Sequence, residues 1–349
     1  MSFTAFTQSI VDLAVLNPLP GAVLAIITLF GVVKLGNLFG SYLAVLLDTL
    51  VRRGTPLTTY GSKAGAWAVV TGATAGIGEQ FAHQLARAGF KVLLVSRTQS
   101  KLDAVASELK EKYSGEVATF ALDAASAGDK EYSQLAAFVD DLEGGVGVLV
   151  NNVGQSHEMP VPFAETTKEE MHQIIQINNV ATLEITRAVI PALQKSIKTK
   201  KSKRALILTM GSFAGLTPTP LLATYSGSKA FLQGWSSALG AELAPEGIDV
   251  ELVVSYLVTS NMSKIRRTSA MIPSPKAFVK ATLRSLNRRG GAQERAYTST
   301  PFWSHGLLHW WIENALGVYS RIVAVFNRKM HVDIRRRALR KIAKSANTQ

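Results

Sequence analysis

One stretch constrains the fold of this chain more than any other: an apolar run, a glycine-rich turn and a helical pattern follow one another directly. The apolar run covers residues 66–71, the turn contains Gly72, Gly76 and Gly78, and the helical pattern ends at Gly89. A buried strand that leads through such a turn into a helix lets backbone amides approach a pyrophosphate at the helix N-terminus. The stretch therefore predicts a dinucleotide-binding unit, with a glycine-rich turn that binds no nucleotide as the alternative.

The same alternation of apolar strand and helical pattern continues along the chain. The further apolar runs cover residues 91–96, 117–123, 146–152 and 205–210. Repetition of this kind predicts an α/β fold of the Rossmann type, in which a doubly wound parallel sheet carries helices on both faces. Ligands bind such sheets at the carboxyl ends of the strands. The residues expected at that edge are Asp123, Asn151, Asn152 and Gly154.

The residue that follows the second strand indicates which dinucleotide the turn would bind. A site for NAD usually has an acid there, which binds the ribose 2′-hydroxyl, but this chain has Arg97. An arginine favours a 2′-phosphate, so the sequence predicts NADPH as the cofactor. The alternative is a solvated arginine at the start of a helix.

Tyr225 and Lys229 form a candidate proton-transfer pair. They are four residues apart in a segment that continues as apolar sequence, and on a helix this spacing puts both side chains on one face. An ammonium beside a phenol favours the phenolate, so we expect Lys229 to lower the pKa of Tyr225 from about 10 and make it a proton donor and acceptor. Ser212, at the end of an apolar strand, and Asn178, in a helical pattern over residues 171–193, accompany the pair. For Asn178 or its neighbour Asn179 alone, a buried structural amide is the alternative.

Taken in order, these motifs resemble the short-chain dehydrogenase/reductase family over about residues 63–261. The resemblance rests on Thr71-Gly72-x-x-x-Gly76-Ile77-Gly78, Asn151-Asn152-x-Gly154, Asn178, Ser212 and Tyr225-x-x-x-Lys229. It implies that Ser212 polarises the substrate carbonyl and that Tyr225 transfers the proton. It also implies that Lys229 binds the nicotinamide ribose and that Asn178, rather than Asn179, holds a relay water. The implied cofactor contacts are Gly72, Thr74, Gly76, Ile77, Gly78, Arg97, Asp123, Asn151, Asn152, Gly154, Tyr225, Lys229, Val258 and Ser260.

Features outside that core resemble a microsomal branch of the family that reduces long 3-oxoacyl-CoA thioesters and has animal relatives acting on steroid ketones. The features are the apolar N-terminal segment, the run 255–267 and an aromatic C-terminal stretch. The likeness implies a very-long-chain acyl-CoA substrate, the endoplasmic reticulum membrane, and other fatty-acid elongation enzymes as partners. A steroid ketone is the alternative substrate, and an inactive membrane scaffold is the alternative function. Ser255-Tyr256, in place of the usual Pro-Gly, and Val153, in place of alanine, depart from the wider family.

The N-terminal segment predicts a membrane anchor. Residues 21–47 are almost wholly apolar, with Lys34 as their only charge, and they are numerous enough to span a bilayer as a helix. A buried core helix and a cleaved signal peptide are the alternatives. Arg52 and Arg53 follow directly, so the positive-inside rule places the next domain in the cytosol.

The C-terminal stretch predicts an amphipathic helical extension near the membrane. Residues 302–326 are apolar and aromatic but interrupted by charges, and residues 328–344 carry eight Lys or Arg against Asp333 alone. A basic tail beside apolar sequence favours a membrane surface over nucleic acid, despite the net charge of +13. Arg266 and Arg267 could meet coenzyme A phosphates, although a solvated pair is the stronger interpretation.

These segments predict three parts in the chain. Residues 1–60 form a membrane anchor and linker, residues 61–300 form an NADP-binding catalytic domain, and residues 301–349 form the extension. The absence of cysteine excludes disulfides, thiolate metal ligands and cysteine nucleophiles, and no metal site is predicted.

Overall fold

A parallel sheet forms the centre of the molecule. The computed structural model describes residues 18–346, together with residues 4, 5, 7–9 and 12. Within these residues the sheet has seven strands in the order β3-β2-β1-β4-β5-β6-β7. The strands are β1 Trp67–Thr71, β2 Lys91–Ser96, β3 Val117–Ala121, β4 Val146–Asn151, β5 Ala205–Met210, β6 Ile248–Val253 and β7 Thr298–Ser299. β1, β4 and β5 are buried along their whole length because helices cover both faces of the sheet, which explains their continuous apolar sequence.

The sheet is accompanied by α-helices, several of which cover its two faces. They are α1 Pro18–Leu46, α2 Gly76–Ala88, α3 Gln99–Lys112, α4 Asp129–Asp140, α5 Lys168–Ile175, α6 Ala181–Lys198, α7 Phe213–Leu216, α8 Ala223–Leu243, α9 Pro275–Arg284, α10 Trp303–Trp311 and α11 Arg321–Ala346. Side chains of α2, α3 and α9 form the core on one face, and those of α4 and α6 form the core on the other. The predicted doubly wound α/β sheet is confirmed. Its third strand ends at Ala121, two residues before the predicted end.

The N-terminal helix stands apart from both layers until its last turns. Among the described residues, Pro20–Val51 is the one helical segment long and apolar enough to cross a membrane, with a mean hydropathy of 2.1 and none of its apolar window buried. The alternative of a buried core helix is therefore wrong. Near its end, Ser41 accepts a hydrogen bond from the indole of Trp310 at 2.9 Å, and the ring of Tyr42 lies 4.9 Å from that indole. Residues 1–3, 6, 10, 11 and 13–17 of the predicted segment 1–60, like residues 347–349 of the extension, lie outside the described residues.

A buried carboxyl group lies inside β6. Glu251 accepts hydrogen bonds from the backbone amide of Asn287 at 2.8 Å and from the hydroxyl of Ser299 on β7. The pKa of Glu251 is raised to about 7: burial and nearby Asp249 raise it, and the two hydrogen bonds act in the opposite direction. Glu251 thus joins the edge strand to the segment that follows α9.

The C-terminal extension is helical, as predicted, and it folds as two helices. α10 continues through a π-helical turn, Ile312–Leu316, and α11 then begins at Arg321 and carries the basic stretch. α11 packs against segments that follow β4 and β5. Asn327 donates to the hydroxyl of Thr217 at 3.1 Å, and Arg335 donates to the carbonyl of Pro160 at 3.0 Å.

Candidate active site

The predicted site residues converge where the parallel strands end. Ser212 follows β5 and Asn152 follows β4, while Tyr225 and Lys229 reach the same edge from the first turns of α8. The glycine turn after β1 lies beside them, since β1 and β4 are neighbouring strands. The sheet topology thus brings residues that are far apart in sequence to one place, as expected for a site at the carboxyl ends of strands.

Ser212 and Tyr225 form a pair of hydroxyl groups at this edge. The hydroxyl of Ser212 interacts with the phenol of Tyr225 and favours its charged form, which opposes the rise that burial causes in the pKa of Tyr225. The hydroxyl of Ser212 also accepts the amide of Ala214 at 3.1 Å, which caps the short helix α7 and fixes the serine side chain. Two adjoining hydroxyls can bind one carbonyl oxygen, and one of them can pass it a proton.

Lys229 affects this pair differently from the sequence-based expectation. The residue is buried, and its Nζ donates to the carbonyl of Met210 at 2.8 Å. Burial lowers the pKa of Lys229 to about 8 because it disfavours the charged form. Burial also raises the pKa of Tyr225, and the side chain of Ser212 opposes that rise. The expectation that Lys229 lowers the pKa of Tyr225 is wrong for this arrangement, because desolvation of the phenolate dominates and the ammonium is directed at a carbonyl.

Both candidate asparagines hold α8 in place. They lie in a π-helical turn, Gln176–Val180, between α5 and α6. Oδ1 of Asn178 accepts a hydrogen bond from the backbone amide of Gln155 at 2.7 Å. Its Nδ2 donates hydrogen bonds to the carbonyl of Gln155 and to the hydroxyl of Ser228, both at 2.9 Å. Asn179 donates to the carbonyl of Ser228 at 2.8 Å. Asn178 therefore ties the segment after β4 to the helix that carries Tyr225 and Lys229.

The glycine turn requires glycine at particular positions. Gly72 and Gly76 both have a φ of +62°, in the left-handed region. A Cβ atom on Gly78 would lie 2.2 Å from the carbonyl oxygen of Gly72 and 2.4 Å from Nδ2 of Asn152. Asn152 in turn donates to the carbonyl of Thr71 at 3.0 Å, which locks the loop after β4 onto the turn. This close approach presents the N-terminus of α2 to a ligand.

A cavity of about 340 Å³ adjoins the turn. Its lining includes four of the predicted cofactor contacts, namely Gly72, Arg97, Asp123 and Gly154. A cationic side chain at the end of β2 and a helix N-terminus at the end of β1 are the groups needed by a dinucleotide with a 2′-phosphate. The residues at this edge thus fit NADPH.

The structure places the remaining predicted contacts around the cavity in different ways. Thr74 shares a hydrogen bond of 3.1 Å with Ser96. Ser260 lies over the turn, since its Cβ is 3.8 Å from where a Cβ on Gly76 would be. Asn151 is buried and donates to Thr186 on α6 at 2.8 Å, so its amide faces the helix layer. Ile77 and Val258 pack in the core beneath the turn.

The sequence-based predictions did not include the residues that fix the loop after β6. His305 on α10 is fully buried. Its ring accepts a hydrogen bond from the backbone amide of Tyr256 at 3.3 Å and donates one to the carbonyl of Met271 at 3.0 Å. Burial lowers the pKa of His305 to about 4, so the ring stays neutral and can both accept and donate. Two signals were present in the sequence: Tyr256 at a position that is usually glycine, and a histidine inside an apolar helix.

Comparisons with known proteins agree with this arrangement. A family model described as short chain dehydrogenase matches residues 66–270. The chain is 58% identical over 310 residues to a very-long-chain 3-oxoacyl-CoA reductase of Yarrowia lipolytica, covering 88% of this chain and 79% of that protein. It is 52% identical to a protein of the same name from Scheffersomyces stipitis, covering 99% of each. A solved short-chain dehydrogenase from Sphingobium yanoikuyae in complex with NADPH is 26% identical, with a TM-score of 0.57, and the match covers 68% of this chain and 87% of that one.

Proposed function

Because the chain belongs to the short-chain dehydrogenase family, we propose that it is an NADPH-dependent reductase of very-long-chain 3-oxoacyl-CoA, with 3-hydroxyacyl-CoA as its product. The observation that carries this function is the pair of interacting hydroxyls, Ser212 and Tyr225, at the same sheet edge as a cavity whose lining residues fit the cofactor. Relatives that share half of the sequence or more over nearly the whole chain bear the name of this activity. A steroid ketone as substrate has no comparable observation in its favour.

The residues that would hold the cofactor lie along the carboxyl edge of the sheet. Gly72, Gly76 and Gly78 would bind its pyrophosphate at the N-terminus of α2, and Arg97 would bind its 2′-phosphate. When bound, NADPH supplies the hydride for the keto carbon. Lys229, buried beneath the same edge, would bind the ribose.

The protein itself provides the proton and the stabilisation of charge. Ser212 and Tyr225 would both donate hydrogen bonds to the 3-keto oxygen, which stabilises the negative charge that develops there. Tyr225 would then give its phenolic proton to that oxygen, because burial keeps the phenol protonated. Asn178 would act by holding α8 against the loop after β4, which its three hydrogen bonds support; its role in holding a relay water stays a prediction.

A turnover experiment tests this function. Oxidation of NADPH by the purified full-length protein would be followed with 3-oxoacyl-CoA substrates of several chain lengths and with a steroid ketone. Tyr225→Phe should lower turnover on the order of 10²- to 10⁴-fold while NADPH binding persists. Tyr132→Phe, which removes the same atom from a buried tyrosine on α4, is the matched control. Near-normal turnover by Tyr225→Phe would contradict the proposed site.

The proposed location is the endoplasmic reticulum membrane, with the catalytic domain in the cytosol beside other fatty-acid elongation enzymes. α1 as an anchor, followed by Arg52 and Arg53, supports this orientation. The anchor would then comprise residues 1–60, the catalytic domain residues 61–300, and the membrane-proximal extension residues 301–349. Asn261 tests the orientation because it is exposed and lies in an Asn-Met-Ser sequon. We expect no glycan on Asn261 in a microsomal preparation. A glycan there would show that the catalytic domain does not face the cytosol.

A further inference from the structure

The C-terminal extension exposes an apolar surface to its surroundings. Its members are 45–76% exposed: Trp311, Leu316, Tyr319, Ile322, Val325 and Phe326. We call these six residues the C-terminal apolar surface. Ile312 and Val323, on the inner side of the same elements, are buried in the core below it. Large aromatic and aliphatic side chains exposed together mark an interaction site in a protein.

This surface adjoins the helix that is apolar enough to cross a membrane. Trp310, next to Trp311, donates to Ser41 of α1 and packs against Tyr42. Beyond that contact, α1 continues to expose apolar side chains, such as Leu43. A bilayer that surrounds α1 would therefore lie beside the C-terminal apolar surface without any rearrangement.

The charges around the surface identify its partner. Arg321, Arg328 and Lys329 flank it and are exposed. Anionic lipid headgroups complement these cations, and tryptophan and tyrosine rings favour the headgroup region of a bilayer. A second copy of this chain would bring the same positive charge against them. Charge complementarity therefore favours lipid over self-association.

We propose that the C-terminal apolar surface lies in the interface of the leaflet from which α1 emerges, an inference that rests on the proposed membrane-bound reductase. α11 then has lipid along one face and catalytic loops along the other. On its inner face, Asn327 binds Thr217 and Pro218, five and six residues after Ser212. The catalytic edge is thus held directly against the membrane, where an acyl chain partitions while its coenzyme A head stays in water.

Spin labels can test this placement, because the chain has no cysteine and single cysteines can be introduced cleanly. Ile322→Cys and Phe326→Cys would be nitroxide-labelled in the full-length protein and reconstituted into vesicles of phosphatidylcholine with a minor fraction of phosphatidylserine. Ile175→Cys, at an exposed apolar residue on α5, is the matched control. Power-saturation spectra would compare access of oxygen, which enters lipid, with access of a water-soluble nickel chelate.

The labels at Ile322 and Phe326 should show several-fold less access to the nickel chelate than the label at Ile175, together with higher access to oxygen. Equal nickel access at all three sites would overturn the proposal, because the surface would then face water. Protection from both reagents would also overturn it, because a protein would cover the surface. None of these readouts needs turnover, so a failure of the proposed reductase function would appear separately in the NADPH assay.

A substitution adds a functional readout. Phe326→Glu should lower turnover of an eighteen-carbon 3-oxoacyl-CoA supplied in vesicles and leave turnover of a four-carbon substrate in solution unchanged. Phe326→Gln removes the ring without adding charge, so it should show a smaller loss in the same direction. Ile175→Glu, the control, should change neither rate. Equal losses on both substrates with Phe326→Glu and Phe326→Gln would contradict the membrane placement.

Discussion

Asn178→Ala offers the sharpest test of how the catalytic helix is held. The substitution removes three hydrogen bonds, two to the backbone of Gln155 and one to the hydroxyl of Ser228. A typical intramolecular hydrogen bond contributes about 1 kcal/mol, and a buried group left unpaired costs about 1 to 3 kcal/mol. We therefore expect the free energy of unfolding to fall by roughly 2 to 4 kcal/mol. For a domain of this size, that corresponds to a fall in Tm of roughly 4 to 16 °C.

Asn179→Ala is the matched control, because that side chain makes one hydrogen bond, to the carbonyl of Ser228. It should lower the free energy of unfolding by only about 1 kcal/mol. Thermal unfolding of the two purified variants would give the comparison. Because Asn178 also orders Gln155, next to the cavity residue Gly154, Asn178→Ala should raise the KM for NADPH and lower kcat, whereas Asn179→Ala should leave that KM nearly unchanged.

Equal stability of the two variants, combined with a loss of turnover for Asn178→Ala alone, would refute this reasoning. The asparagine would then act on the reacting groups, as the relay-water prediction has it, and not by holding two elements together. A large loss of stability with an unchanged KM for NADPH would instead show that Gln155 keeps its position by other contacts.

Two further predictions concern the cofactor and the buried acid. Arg97→Ala should raise the KM for NADPH much more than that for NADH, since it removes a charge-assisted contact of about 1.5 to 3 kcal/mol. Lys101→Ala on α3 is the control, and an equal rise in KM for both cofactors would contradict the 2′-phosphate contact. Glu251 has a pKa raised from its usual value of about 4.5 to about 7, so the stability it contributes should be present below pH 4.5 and lost as pH rises through 7. The free energy of unfolding, measured across this pH window, should fall by roughly 3 kcal/mol, and Glu251→Gln should abolish that fall. The same pH dependence in the variant would show that other groups cause it.

The central fold could be predicted from the sequence because its signals are local. The runs 91–96 and 205–210 are strands with those bounds, since the residues of a strand that are buried on both faces are mostly apolar. The left-handed φ of Gly72 and the close approach of Gly78 to the carbonyl of Gly72 explain why these two positions of the turn are glycine. In both cases the sequence pattern and its physical cause lie within a few residues.

The expected effect of Lys229 on Tyr225 failed because it depended on a distant residue. The spacing of four residues put both side chains near the same edge, but the carbonyl of Met210, at the end of β5, determines where the ammonium points. Burial then sets the pKa of each group, and burial depends on the packing of the whole layer. Neither factor is visible in a helical segment considered alone.

The departure at Tyr256 shows how the extension and the catalytic core depend on each other. The family model ends at residue 270, yet the contacts that hold the loop after β6 come from His305 on α10, beyond that point. The ring of Tyr256 packs against Phe213, the residue after Ser212, and its hydroxyl meets the sulfur of Met330 on α11 at 3.7 Å. A glycine at this position would have no ring to fill that space. Tyr256 therefore depends for its contacts on α10 and α11. Through Tyr256 and Phe213, the position of Ser212 is linked to helices whose outer side carries the C-terminal apolar surface.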